Sequence, residues 1–174
     1  MAPIRLVSTC LLCGMLAACS SLSVQWDYDP HVDFPAYRTF DWMPREQEPS
    51  GDEPGLPSPF TGRRIKRAAL EALIDKGFER SIDDPDFLVA YYVTYQTTET
   101  VDVYDRGYYR PPYAGHVRSR TEGTIVLDFV DARTRELIWR GWGTRRVRSS
   151  ASPDKRQEEI DLIVGAIVSK FPPY

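Results

Sequence analysis

Thr124-Ile125-Val126-Leu127-Asp128-Phe129-Val130, Asp131-Ala132-Arg133-Thr134-Arg135-Glu136, Leu137-Ile138-Trp139-Arg140-Gly141-Trp142: this run decides the fold class. Ile125, Leu127 and Phe129 alternate onto one face of a strand over 124–130. The polar turn 131–136 leads directly into a second strand over 137–142. Two such strands joined by a short polar loop predict an antiparallel hairpin. A hairpin does not suit a doubly wound parallel sheet. Gly141-Trp142-Gly143 lies inside the strand pattern and is no phosphate loop, which needs a Gly-rich turn from strand to helix.

Upstream, Phe87, Val89, Tyr91, Val93 and Tyr95 share one face of a strand over 86–96. Leu88, Ala90 and Tyr92 make its other face apolar as well, which predicts a central strand covered on both sides. Downstream, Ser152 can cap a helix, Pro153 suits its first turn and Asp154 its positive end. Ile160, Ile163, Val164, Ile167, Val168 and Phe171 then follow one helical face, and Pro172-Pro173 stops it. A first helix is expected over 62–76, with Ile65, Ala69, Ala72 and Leu73 buried. Gly77 is its left-handed stop, and Phe78 packs back on the last turn. Short strands are expected over 24–29 and 37–42. The expected class is α+β: an antiparallel or mixed sheet of about five to six strands with two helices packed on one face. It forms a single domain over 24–174 without solenoid repeats. Two loops interrupt it, a Pro-rich one over 44–59 and a Tyr/Arg-rich one over 99–120.

The chain has 174 residues, 22 Lys and Arg against 25 Asp and Glu, and a net charge of −3. That mildly acidic, mixed balance gives no case for nucleic acid, which calls for a basic face. The first residues read differently from the rest. Arg5 is followed by an apolar run from Leu6 to Ala18, too short to span a bilayer, which takes roughly 20 apolar residues. It ends Leu16-Ala17-Ala18-Cys19, which resembles the bacterial lipobox. The resemblance implies a signal peptide over 1–18, cleavage after Leu16, Ala17 and Ala18, and acylation of Cys19, leaving a lipidated tether over 19–23. Ser20 follows the Cys where Asp would signal inner-membrane retention, so an outer-membrane, periplasm-facing location is expected. Arg5 is the only charged residue of the leader, so its loss takes the net charge from −3 to −4. Cys10 and Cys13 leave with the leader, and the mature chain keeps no thiol for a disulfide or metal site.

Several local patterns occur in a fixed order. They include Trp26-Asp27-Tyr28-Asp29-Pro30, 33–42, Lys76-Gly77-Phe78, 84–91, Glu122-Gly123-Thr124-Ile125-Val126-Leu127-Asp128, Asp131-Ala132-Arg133-Thr134 and 137–142. Together, from about residue 23 to 172, they resemble the bacterial lipoproteins of the domain of unknown function 4136 family. The resemblance implies location and fold but supplies no catalytic residues or cofactor. The chain departs from it between the long strand and the hairpin, where the family is often Gly-rich and this segment is Tyr- and Arg-rich.

No catalytic or metal-binding constellation is expected, and no cofactor beyond the acyl lipid on Cys19. His31 sits in a turn beside Asp29 and Asp33 without a nucleophile elbow, and His116 lies in the Tyr/Arg-rich loop. Asp83, Asp84 and Asp86 lack the spacing of a calcium loop. Tyr104, Arg106, Tyr108, Tyr109, Arg110 and Tyr113 carry the residue types from which binding hot spots are built. They are the candidate partner-binding loop, for an envelope protein or glycan. The four Trp are expected in the core or its rim, with sugar stacking by Trp142 a weaker reading. Two other functions predict different structures. An envelope hydrolase with carboxylate or His chemistry needs a pocket gathering His31 or several acids. A carrier of a small apolar ligand needs a cavity of at least ~300 Å³ between sheet and helices.

Overall fold

The computed structural model describes residues 22–44, 60–103, 115–147 and 151–173. Six strands form one sheet: β1 (Ser23–Tyr28), β2 (Thr39–Trp42), β3 (Glu79–Arg80), β4 (Phe87–Val103), β5 (Gly115–Asp131) and β6 (Leu137–Arg146). Their spatial order is β1-β6-β5-β4-β2-β3. β4, β5, β6 and β1 pair antiparallel, whereas β2 pairs parallel with both β4 and β3. The sheet is therefore mixed. The parallel pair requires a crossover, which α1 (Thr61–Asp75) supplies between β2 and β4. α2 (Pro153–Val168) follows β6. The fold is α+β, as the hairpin and the two amphipathic helices predict.

Both helices lie on one face, and the register shows which. Tyr91, Leu127, Gly141 and Trp26 form one cross-strand row. Lys66 of α1 sits 5.7 Å from the Tyr91 ring centroid and 5.4 Å from that of Trp42. A Cβ on Gly141 would fall 2.7 Å from Ile167 of α2 and 2.2 Å from the Trp139 ring. Gly141 thus lets the indole lie over the strand and the helix close onto it. Seven aromatic rings fill the space near the C-terminal ends of α1 and α2: Phe34, Phe40, Phe78, Phe87, Phe129, Trp139 and Phe171. Phe171 meets Phe129 edge to face at 4.5 Å between centroids, a favoured arrangement of the ring quadrupoles.

The helix signals hold closely. Ser152 Oγ accepts from the Lys155 backbone N–H, and the five α2 positions of the expected apolar face, Ile160, Ile163, Val164, Ile167 and Val168, are all buried. Gly77 has φ 89°, and the Phe78 N–H bonds the Leu73 carbonyl. Ile65, Ala69 and Leu73 are buried as expected; Ala68 is buried too, while Ala72 is half-buried.

Three expectations are corrected. Residues 99–120 are not one loop: β4 runs to Val103 and β5 starts at Gly115, paired Val103 to Gly115. Residues 97–100 are exposed and carry no apolar alternation, but β-branched Thr favours a strand even there. The expected strand over 37–42 starts at Thr39, because Phe34–Ala36 forms a one-turn 3-10 helix. β4 is central, yet among the described elements helices cover only one of its faces. On the other, Leu88 and Ala90 are buried at sheet level, beside the row Ala90, Asp128, Arg140, Asp27. There Arg140 binds Asp128 with both nitrogens, Nε to Oδ1 at 2.6 Å and Nη2 to Oδ2 at 2.5 Å. This bidentate bond raises the Arg140 pKa against the opposing effect of burial. β3 had no sequence signal, being two exposed residues.

Candidate functional site

The two ends of the sheet differ in chemistry. At one end, where Phe87 pairs with Asp131, the turns gather Asp29, His31, Asp33, Asp84, Asp86, Asp131 and Glu136 around a cleft of about 530 Å³. Arg133 is the one arginine in its lining. The carboxylates here hold the turns together. Asp86 accepts from the backbone N–H groups of Arg38 and Thr39 and from the Thr39 hydroxyl, each at 2.8–2.9 Å. Burial alone would raise its pKa, but these three donors outweigh it and leave the carboxyl below its ordinary value. Asp131 behaves alike: burial raises, and the N–H groups of Thr134 and Arg133 and the Tyr37 hydroxyl lower more strongly. The Tyr37 phenol is pushed up in turn, first by burial and then by its 2.7 Å bond to Asp131. Asp29 accepts the His31 backbone N–H at 2.8 Å. The structure thus brings His31 and several acids together, as a hydrolase would need. Its two best-held carboxylates, however, are fixed as ionised acceptors, the opposite of an acid poised to donate a proton. Among the described residues no group of three or more His, Cys, Asp or Glu is arranged to hold a metal ion.

At the other end, Tyr95, Gly123 and Arg145 form a row, and Ser23 pairs with Thr144. The N-terminal turns of both helices reach this end. Thr61, Arg64, Arg156, Glu159, Ile160 and Ile163 close over Val93, Ile125 and Arg145 to leave a pocket of about 80 Å³, with Arg146 at its edge. That is well below the ~300 Å³ a small-molecule carrier requires. Phe60, just before α1, is 49% exposed, with the Arg63 guanidinium 4.8 Å from its centroid.

Beyond this end, among the described residues, only β4 and β5 continue. β6 stops at Arg146, opposite Glu122. Residues 97–103 and 115–121 therefore form, among the described residues, a two-stranded arm about 20 Å long at ~3.3 Å per residue, tied at its base by the Val147 N–H to the Thr121 carbonyl at 2.9 Å. Thr97 and Thr121 share a hydroxyl hydrogen bond at 2.9 Å, and Arg120 pairs with Glu122 at 2.7 Å. Tyr104, Arg106, Tyr108, Tyr109, Arg110 and Tyr113 lie outside the described residues, between the two strands of this arm. His116 belongs to β5, opposite Asp102. Leu16, Ala17, Ala18 and Cys19, and the Pro-rich segment from residue 45 to 59, are also outside the described residues. Trp139 is core, Trp42 and Trp142 are half-buried and Trp26 is 43% exposed. Trp142 lies on the face away from the helices, in the row Tyr92, Val126, Trp142, Gln25, and lines a groove with Asp27 and Arg140. The sequence search did not anticipate the arginine end, because Arg64, Arg145, Arg146 and Arg156 converge only through the fold.

The family model described as "Domain of unknown function (DUF4136)" matches residues 24–173. The chain belongs to that family. The matched DUF4136 residues begin one position after the start of β1 and take in both helices. None of the curated proteins matches the chain. A PDZ domain protein from Parabacteroides distasonis is similar in fold, at 12% identity and a TM-score of 0.57, over 88% of this chain and 36% of that one. The chain thus spans little more than a third of that structure's length, and the likeness is one of fold alone. The PelC dodecamer from Paraburkholderia phytofirmans is similar at 11% identity and a TM-score of 0.47, over 85% of this chain and 95% of that one.

Proposed function

We propose that this DUF4136 protein is a lipid-anchored component of the cell envelope, held by Cys19 in the outer membrane and facing the periplasm, with a binding rather than a catalytic role. The observation that carries this reading is the position of Leu16-Ala17-Ala18-Cys19, which ends an apolar leader just ahead of β1 at Ser23. The tether over 19–23 can extend only about 14 Å, so the domain would sit against the membrane. Two acyl chains or more on a lipoprotein Cys make such an anchor effectively permanent. The arm formed by β4 and β5 leaves the same end as the tether. Its Tyr/Arg-rich tip would therefore meet an envelope protein or glycan at the membrane surface.

Mass spectrometry of the mature N-terminal peptide tests the anchor. It should carry diacylglyceryl on Cys19, and Cys19→Ser should leave an uncleaved chain without lipid. Cross-linking in intact cells tests the tip. Deleting residues 104–113 should remove the cross-linked partner while the melting transition stays, and unchanged cross-links would argue against the tip. The alternative, a hydrolase, draws on the gathering of His31 and the acids in the cleft. It predicts that Asp33→Asn or Asp84→Asn abolishes turnover of an envelope glycan or peptide.

A further inference from the structure

We propose that the arginine end of the domain is a membrane-docking surface that binds the anionic headgroups of a phospholipid bilayer. The proposal rests on the anchoring reading above for its setting, but on the structure for its surface. The pocket at this end is lined by Arg64, Arg145, Arg146 and Arg156 against the single acid Glu159, whereas the cleft at the opposite end is lined by six carboxylates against Arg133. The two cavities at opposite ends of the strands thus carry linings of opposite charge. Such a dipole orients a protein in the field of an anionic surface.

The location fits this partner. The described chain enters at Leu22, and Ser23 pairs with Thr144, next to Arg145. Cys19 would thus hold the bilayer within about 14 Å of Ser23, at the strand end next to Arg145. Surface potential acts within a Debye length of about 8–10 Å, which this end enters whenever the tether is short of full extension and the acidic end, a sheet length away, does not. Phe60 adds an exposed aromatic ring among Arg63 and Arg64, the pairing of ring and cation that suits a headgroup layer. Acids are present nearby: Asp154 and Glu158 on α2, Glu159 in the pocket wall and Glu122, which is already paired with Arg120. They are outnumbered by the arginines and Lys155.

Vesicle sedimentation of the full chain carrying Cys19→Ser tests the surface without the acyl anchor. Vesicles of phosphatidylcholine with and without phosphatidylglycerol are compared, and the leader is common to every sample. The chain should prefer the anionic vesicles. Arg145→Gln with Arg146→Gln should cost about fivefold in partition per arginine, hence roughly 25-fold. Arg133→Gln with Arg135→Gln at the acidic end should leave partition unchanged. Raising salt from about 0.01 to about 1 M shortens the screening length from about 30 to about 3 Å. It should abolish the preference with no substitution at all. Equal partition to both vesicles, or an equal loss from the control pair, overturns the proposal. The mass of the wild-type N-terminal peptide reads the anchor separately. An unmodified Cys19 would sink the anchor and leave the vesicle result standing, whereas an acylated chain indifferent to phosphatidylglycerol would do the reverse.

Discussion

The acidic end and the arginine end are built from the same strands but packed on different terms. At the acidic end, seven aromatic rings fill the space between sheet and helices, and carboxylates tie down the turns around them. At the arginine end the packing is largely aliphatic, with Val93, Ile125, Ile160 and Ile163 beside Tyr95; the pocket of about 80 Å³ remains, and charged groups ring it. The contrast teaches that this fold has a rigid end and a looser end, and that the looser one lies beside the chain's entry.

The largest expected effect is at the rigid end. Phe171 is fully buried among Phe34, Phe78, Phe87, Phe129 and Trp139. Phe171→Ala should cost about 3–5 kcal/mol, read by denaturant unfolding. Ile163→Ala, beside the existing pocket, should cost only about 2 kcal/mol, because part of its surroundings is already empty. Equal losses at the two sites would dissolve the packing contrast.

Ser152 caps α2 at the arginine end. Ser152→Ala should cost about 1 kcal/mol, and hydrogen exchange should rise in the first turn of α2 while the aromatic end keeps its protection. Acid should act at the other end, with the smallest effect. Asp86 and Asp131 have folded pKa values below their ordinary 3.8. A depressed pKa adds stability above the unfolded value and loses it as pH falls through the folded one. The melting temperature should therefore drop below about pH 3.8, and Asp131→Asn should flatten that drop. The arginines themselves do not titrate there.

Much of this was legible in the sequence where burial and local rules agree. Ile160, Ile163, Val164, Ile167, Val168 and Phe171 announced α2, and Ser152 its start. Phe87, Val89 and Tyr91 announced the helix-facing side of β4. What escaped was set by partners remote in sequence. The arm over 97–103 and 115–121 opens on the exposed polar run Thr97-Thr98-Glu99-Thr100, so no apolar period marks its start. β3 exists only as an edge beside β2. The acidic cleft joins turns from three parts of the chain, and the arginine pocket joins α1, α2 and three strands. Neither could be read as a local motif. Trp139 is a remaining cost of the core: its buried Nε1 has no hydrogen-bond partner among the described residues.

The most direct test of the polarity is made on the chain carrying the lipid proposed on Cys19, in phosphatidylglycerol vesicles that carry a headgroup quencher. In the processed form proposed above Cys19 is the sole Cys, so a fluorophore can be placed singly by Arg63→Cys at one end or Glu136→Cys at the other. Strong quenching at position 63 with little at 136 is expected. Equal quenching, or stronger quenching at 136, would contradict a domain that turns its arginines to the membrane.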